Sequence, residues 1–373
     1  MPIHPKTIGI LGGGQLARML ALKAKQMGLA VSILSENSDD PAVSVASSWI
    51  QGSVKATADL QRLMSSVDIV TFESELIPAA LLKTTLGNLS KNKIQPQLNI
   101  LSRMQDRLLQ KEWLYDFGLP TLDYVKISSK DDLELAFKAF NGHMVCKRRF
   151  GGYDGNGTFV IASKMQLLEF KVRFKGQENQ FIAERFIAFK SERSLIFARN
   201  KRGELLHFPM VQSVQTNNQC DYVVGPSAHS KQAKLIAKIN QFLSGIDYVG
   251  VIAFELFDIG AKLFINEIAP RVHNTGHFSQ DALNVDQFEL HLRCILGLNL
   301  PPVRLKQPAF VMVNLIGVST HVPVIRSMPT GSMHWYDKTE NRPRRKMGHI
   351  NYIGKNKKAL LRKALLERKG IAL

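Results

Sequence analysis

Residues 251–277 read VIAFELFDIGAKLFINEIAPRVHNTGH, and the fold turns on how this run is understood. Two apolar segments, residues 251–257 and 262–267, flank a short turn containing glycine, the pattern of two β-strands joined as a hairpin. Each strand carries one acid, Glu255 in the first and Glu267 in the second. An ionised carboxylate on a buried strand is costly unless compensated, and two on neighbouring strands are costlier still. A divalent cation bridging them answers the problem, and oxygen-only ligands point to Mg²⁺ or Mn²⁺ rather than zinc. Neutralisation by a basic neighbour such as Arg271 is the other solution. Beyond the hairpin, Arg271, His273, Asn274 and His277 crowd into a polar turn. The His pair has a metal-binding spacing, but the intervening glycine and the missing helical pattern favour contact with a substrate.

Upstream, residues 147–157 read KRRFGGYDGNG and directly follow an apolar strand at 144–147. Glycines so dense make a loop whose backbone N–H groups can close over phosphates, with Lys147 a fixed positive charge at its root. An unliganded glycine hairpin would explain the glycines but not the three consecutive cations beside them. Around these motifs, strands at 181–184 and 194–198 and helices at 131–140, 231–244 and 285–296 compose an α+β region. A further helix, residues 106–117, follows the Gln95-Pro96 connection and stops at Gly118 with Pro120 behind it, a normal helix end.

The N-terminal part alternates differently: strand 7–11, helix 15–27, strand 30–34 and strand 69–72, the opening of a parallel α/β sheet. Gly12-Gly13-Gly14-Gln15-Leu16-Ala17 sits at the first strand-to-helix turn, and Glu36 ends the second strand, as in a dinucleotide-binding unit. The same helix N-terminus would hold a ribonucleotide phosphate, and a ligand-free turn would also use glycines. Pro301-Pro302 punctuates the central region, after which short strands joined by Pro/Gly turns and a basic helix, residues 358–368, are expected. The fold class is therefore α/β and α+β: a Rossmann-like unit over 1–98, a central domain over 99–302 and a small β-rich domain over 303–373.

Composition narrows the setting. The 373 residues suffice for two or three domains, and 45% hydrophobic content is ordinary for a globular protein. Cys146, Cys220 and Cys294 form no C-x-x-C pair, so neither a zinc knuckle nor a disulfide framework is expected and a reducing, cytoplasmic setting fits. No apolar run reaches the roughly 18 residues of a membrane span. The net charge of +18 attracts nucleic acid, acidic membrane and phosphorylated metabolites alike. Without an RNP-like aromatic motif, neither specific nucleic acid nor membrane is expected as a partner.

Taken in order, glycine-loop lysine, hinge acid and paired metal acids resemble the ATP-grasp superfamily. Gly12-Gly-Gly-Gln-Leu16, Thr71-Phe-Glu73, Gln105-Asp-Arg107, Arg149-Phe-Gly-Gly-Tyr-Asp-Gly155, residues 266–277, His334-Trp-Tyr336 and Arg345-Lys-Met-Gly-His349 are similar to the 5-(carboxyamino)imidazole ribonucleotide synthase family. The resemblance implies an ATP-dependent carbon-nitrogen ligase of purine biosynthesis, a homodimer, with ATP and Mg²⁺ as cofactors and 5-aminoimidazole ribonucleotide and bicarbonate as partners. The alternatives are another ATP-grasp carboxylate-amine ligase, a nucleic-acid-binding protein suggested by the charge, and an NAD-dependent oxidoreductase suggested by Gly12–Ala17 with Glu36, though neither of the last two explains Glu255 with Glu267. By position the resemblance assigns Arg107 and Lys147 to the nucleotide phosphates, Glu184, Arg185, Phe186 and Ile187 to the adenine hinge, Glu192 to the ribose, and Asn266 to cofactor binding. Glu255 and Glu267 would hold the metal. Gly14, Gln15, Leu16, Glu73, Tyr153, His273, Asn274 and Arg345 would surround the ribonucleotide, with Asp154, Lys346 and Arg271 catalytic. The chain departs from the family pattern at Ala17, Asn156, Thr158 and Arg344, and residues 211–219 lack an expected Asn-x-His.

Overall fold

The computed structural model describes residues 6–87, 93–152 and 155–373. Strands β1 (Thr7–Leu11), β2 (Ala30–Ser35), β3 (Ser48–Gln51) and β4 (Ile69–Phe72) form a parallel sheet in the order β3-β2-β1-β4. A parallel sheet covered on both faces needs apolar residues throughout, and Ile8, Ile10, Val31, Ile33 and Val70 are fully buried. The helix Gln15–Gln26 presents Ala17, Leu20, Ala21 and Ala24 to the core at helical spacing. It also reaches the central region: Ala17 and Leu20 share one apolar cluster with Phe288 and Leu292, and Lys23 pairs with Asp286 at 2.7 Å.

After β4 the connection expected around Pro96 contains a helix of its own, Leu98–Gln105. Its eight residues are too few for the apolar positions Leu98, Ile100, Leu101 and Met104 to establish a period against the next helix. Asp106 separates the two. Its carboxylate accepts the Leu108 N–H at 2.9 Å and caps the helix Arg107–Asp116, which places Arg107 in the first turn.

The central region has two sheets. Strands β5 (Tyr124–Lys126), β6 (Met144–Arg148), β7 (Thr158–Ile161) and β8 (Phe181–Arg185) form a small antiparallel sheet, order β5-β8-β6-β7. Two helices, Lys130–Ala139 and Lys164–Arg173, cover it through Leu133, Ala136, Leu167 and Phe170, and the side chains of Ser129 and Ser163 cap their N-termini. The larger sheet contains β9 (Ser191–Arg199), β10 (Leu205–His207), β11 (Val211–Thr216), β12 (Gln219–Gly225), β13 (Gly250–Ile259), β14 (Lys262–Ala269) and β15 (Ala309–Ile316). A minor strand β16 (Val324–Ile325) precedes β17 (Ser332–Trp335) and β18 (Lys346–Gly354), which complete the order β14-β13-β9-β11-β12-β15-β18-β17 with β10 on β9.

Two strands after Pro302 are longer than expected, eight residues in β15 and nine in β18. With β17 they join the large sheet, whereas β16 pairs with Ile371–Ala372 in a two-stranded sheet of its own. β15 pairs with β12, Tyr222 opposite Val313, so the sheet runs on unbroken and no edge of β12 is left to solvent. The terminal helix Lys357–Arg368 lies against this extension through Leu360, Leu361 and Ala364.

Candidate active site

A cavity of about 390 Å³ lies between the small sheet and the large one. Residues from six strands meet in it: Lys147 near the end of β6, Glu184 on β8, Glu192 on β9, Glu255 on β13, Asn266 and Glu267 on β14, and Lys346 on β18 all line its wall.

At one end β8 leaves the small sheet through Phe186 and Ile187, and with Leu122, Val145, Phe189 and Phe257 these make an apolar slot. Phe189 and Phe257 are stacked at 4.4 Å. Arg185 borders the slot, but its guanidinium turns outward to Asp123 at 3.0 Å. Deeper in, Lys147 donates to Glu184 at 2.9 Å and to the Asn266 side-chain oxygen at 2.8 Å. Behind Glu184 stands a second buried cation, Lys111, at 3.4 Å. Burial raises the Glu184 carboxyl, but the Lys111 and Lys147 ammoniums outweigh it and hold the group well below the usual range. Lys111 in turn is drawn down to about 8 by burial, against the pull of Glu184.

Glu255 and Glu267 are direct register partners across β13 and β14, so both carboxylates leave the same face of the sheet. Arg107 clamps Glu267 with hydrogen bonds of 2.9 and 3.0 Å, and His273 lies 3.3 Å from Glu255. The neighbouring base expected for this role, Arg271, instead forms a two-point pair with Glu75, one contact being 2.8 Å. The two acids keep 34% and 35% of their side-chain surface exposed, and their oxygens, with the Asn266 amide beside them, are the hard donors that Mg²⁺ or Mn²⁺ takes. Among the described residues no cluster of three or more His, Cys, Asp or Glu could enclose a metal alone. A cation here would complete its shell with oxygens from water or a bound phosphate. On β9, burial and the Glu255 charge push Glu192 up to about 7.

At the far end Arg271, His273, Asn274 and Lys346 line the cavity. Gln287 fixes the turn by bonding both the N–H and the carbonyl of His273, each at 2.8 Å. Neither polar atom of the Asn274 amide has a partner among the described residues, leaving a donor and an acceptor for something else. His277 does not reach the cavity; it is fully buried.

Gly14, Gln15, Leu16, Glu73 and Arg345 do not line this cavity. The Glu73 carboxylate instead occupies the glycine turn, accepting from Gly14 N–H at 2.7 Å and Ala17 N–H at 3.1 Å. Gly12, at φ +101°, has no room for a Cβ because the Glu73 carboxylate would be 2.6 Å away. The turn that would cradle a dinucleotide phosphate is thus filled by the protein's own anion, and Glu36 bonds Ser53 at 2.7 Å. Glu73 remains within electrostatic reach of Arg271 and of Lys338. Burial, then Arg345 and the other cations around it, bring Lys338 down to about 7. Tyr153 and Asp154 lie outside the described residues. Beside them Gly152 packs against Arg107, 2.6 Å from where a Cβ would sit, so the loop root and the Glu267 clamp touch.

Glu75, Lys111, Gln215 and Lys338 join or adjoin the site without having been expected there from the sequence. Lys111 was accessible, since it lies one helical turn after Arg107 on the same face. Gln215 enters the cavity where the β11–β12 register shifts between Val214 and Gln215, and an alternating pattern does not reveal a bulge. Asn156 and Thr158, two of the departures from the family pattern, also line the cavity.

Three family models match in succession: a ribonucleotide synthetase preATP-grasp domain over residues 5–105, an ATP-grasp domain over 112–288 and a phosphoribosylaminoimidazole carboxylase C-terminal domain over 310–363. The chain is 36% identical to the N5-carboxyaminoimidazole ribonucleotide synthase of Synechococcus elongatus, over 92% of this chain and 88% of that one. It is 33% identical to the synthase of Saccharolobus solfataricus, covering 94% and 91%. Among solved structures, the Staphylococcus aureus enzyme complexed with ADP superposes with a TM-score of 0.88 at 29% identity over 97% of both chains. The Aspergillus clavatus enzyme, in complex with ADP and 5-aminoimidazole ribonucleotide, does so at 0.86 and 26% identity over 98% of both. With all three domain types matched in order and the likeness running nearly end to end, the chain belongs to the N5-carboxyaminoimidazole ribonucleotide synthase family of ATP-grasp enzymes.

Proposed function

We propose that this chain is an ATP-dependent ligase that carboxylates the exocyclic amine of 5-aminoimidazole ribonucleotide with bicarbonate, yielding N5-carboxyaminoimidazole ribonucleotide, ADP and phosphate. The observation that carries the reading is a single cavity with an apolar slot and lysine-arginine clamp at one end and a cationic, amide-lined turn at the other. The slot of Phe186, Ile187, Phe189 and Phe257 suits a purine, and Glu192 the ribose hydroxyls. Lys147 and Arg107 face the phosphates, and Glu184, fixed by Lys111, aims Lys147. A magnesium ion held by Glu255 and Glu267 would neutralise phosphate charge.

ATP transfers its terminal phosphoryl group to a bicarbonate oxygen, and the resulting carboxyphosphate breaks down to CO₂ and phosphate. The amine nitrogen bonds the carbon and gives up a proton, for which Asp154 is our proposed acceptor. Arg107 and Lys147 offset the charge of the transferring group. Arg271, His273, Asn274 and Lys346 would hold bicarbonate and the aminoimidazole, while Lys338 and Arg345, near Glu73 and the glycine turn, suit the ribonucleotide phosphate. Closure of the glycine loop with Tyr153 would keep water from carboxyphosphate.

No helix among the described residues is long and apolar enough to cross a membrane. A homodimer follows from the family resemblance and is checked by light scattering. The function is tested by following ADP release with and without 5-aminoimidazole ribonucleotide and bicarbonate. Release should require both, with carboxylated product trapped in equal amount; release indifferent to the ribonucleotide would point to another carboxylate-amine ligase.

A further inference from the structure

Behind the cationic end of the cavity, three imidazoles stack in a column. The His334 and His349 rings lie 4.5 Å apart with 9° between their planes, and His349 and His277 lie 4.9 Å apart at 29°. His277 and His349 are fully buried, whereas His334 sits at the rim and pairs with Asp281 at 2.7 Å. The column crosses a seam between chain segments. His277 ends the turn that carries His273 and Asn274, while His334 and His349 are register partners on β17 and β18, and β18 begins at Lys346.

Several bonds run through the same seam. Gln287 bonds the His277 ring at 2.9 Å as well as the His273 backbone. Asn351 on β18 donates to the His277 carbonyl at 3.0 Å and to Asp281 at 2.6 Å. Tyr336 on the other side bonds His349 at 2.8 Å. Cavity-lining His273 is thus joined to the strand of cavity-lining Lys346 through Gln287, His277 and His349. Neutral rings suit this place: burial first, then the nearby basic side chains of His273, Lys346, His334 and Arg271, disfavour a charge on His277. On His349 burial, His277 and His334 act the same way.

We propose that His277 and His349 are positioning residues, whose stacked rings lock the His273–Asn274 turn to the strand bearing Lys346 so that the bicarbonate and aminoimidazole end of the cavity is held as one piece. The nucleotide end is fixed mainly by the Lys111–Glu184–Lys147 network and the Arg107–Glu267 clamp, and meets the turn at the His273–Glu255 contact. The assignment of the two ends rests on the function proposed above.

The test compares His349→Asn, which keeps a group able to bond Tyr336 but loses the ring, with His349→Phe, which keeps the ring and loses the bond. In the ligand-free protein, hydrogen exchange should speed up in H349N at residues 273–277 as well as 346–351, and stay near wild type at both in H349F. In kinetics, H349N should raise the KM for 5-aminoimidazole ribonucleotide about tenfold or more, leave the KM for ATP within about twofold, and release phosphate in excess of product. H349F should restore all three. Faster exchange confined to residues 346–351, or equal loss in the two variants, overturns the proposal. The exchange arm decides the coupling whatever the enzyme turns over, whereas wild-type protein that ignores the ribonucleotide overturns only the functional reading.

Discussion

Glu255 and Glu267 owe their meeting to one register pair, and each already has a basic neighbour, His273 or Arg107. Removing either carboxylate would take away a proposed metal ligand and leave that basic neighbour unpaired, while glutamine keeps the size of the side chain and the strand register. Glu255→Gln and Glu267→Gln should each lose about 10²–10³-fold in turnover and keep a cooperative melt; magnesium titration of activity is the check, and unaltered magnesium dependence would refute the pairing. Glu192 is a second case, with burial and Glu255 lifting it from 4.5 to about 7. Below that pH it carries a proton and would no longer accept, as a carboxylate, from the ribose hydroxyls it is proposed to hold. The KM for ATP should thus rise as pH falls from 8 to 6, by up to about tenfold per unit once well below 7, and Glu192→Gln should flatten the profile. The same shift makes stability fall as pH rises between 4.5 and about 7, because the unfolded chain releases this proton first.

At the scale of elements, the turn after β14 is tied to the segment after β4 by Arg271 and Glu75, a two-point pair whose side chains are only 17% and 23% exposed. Burial raises the Glu75 carboxyl, yet Arg271 brings it down to about 2, so the pair stays ionised. Breaking such a pair from one side strands a charge. Glu75→Gln and Arg271→Met should each cost about 2–4 kcal/mol in denaturant unfolding, and the double variant less than the sum of the two. Additive losses in that cycle would show that the pair does not couple the two elements. This tie could not be foreseen from residues 251–277, where Arg271 stands nearest the paired acids in sequence. Folding turns it toward Glu75 and leaves Glu255 to His273 and Glu267 to Arg107.

Across the whole molecule the cavity is walled by two sheets, and a ligand bridging them stabilises only the folded arrangement. MgATP at a hundredfold excess over its Kd should add about 2.7 kcal/mol of stability and raise the melting temperature. NAD should leave it unchanged, since Glu73 fills the glycine turn; a rise with NAD and none with MgATP would overturn the nucleotide assignment. The small sheet packs on its own core of Phe140, Phe170, Phe174 and Phe181, so the nucleotide should connect two cores rather than complete one.

Much of this protein was written in local pattern. Apolar runs, glycine turns and helix caps are short-range signals, and they determined the parallel N-terminal sheet, the hairpin of β13 and β14 and the glycine loop after β6. Residue chemistry on those elements already pointed to phosphate at Lys147 and to oxygen-bound metal at Glu255 and Glu267. Tertiary structure alone decided which charges meet: Arg107 with Glu267, Lys111 with Glu184, Arg271 with Glu75. It also decided that Glu73 closes the glycine turn, that β15 continues the central sheet from β12, and that three distant histidines stack. These outcomes depend on strand order and on packing between segments far apart in the chain, and a charge is compensated by whatever folding brings within a few ångströms, not by its neighbour in sequence.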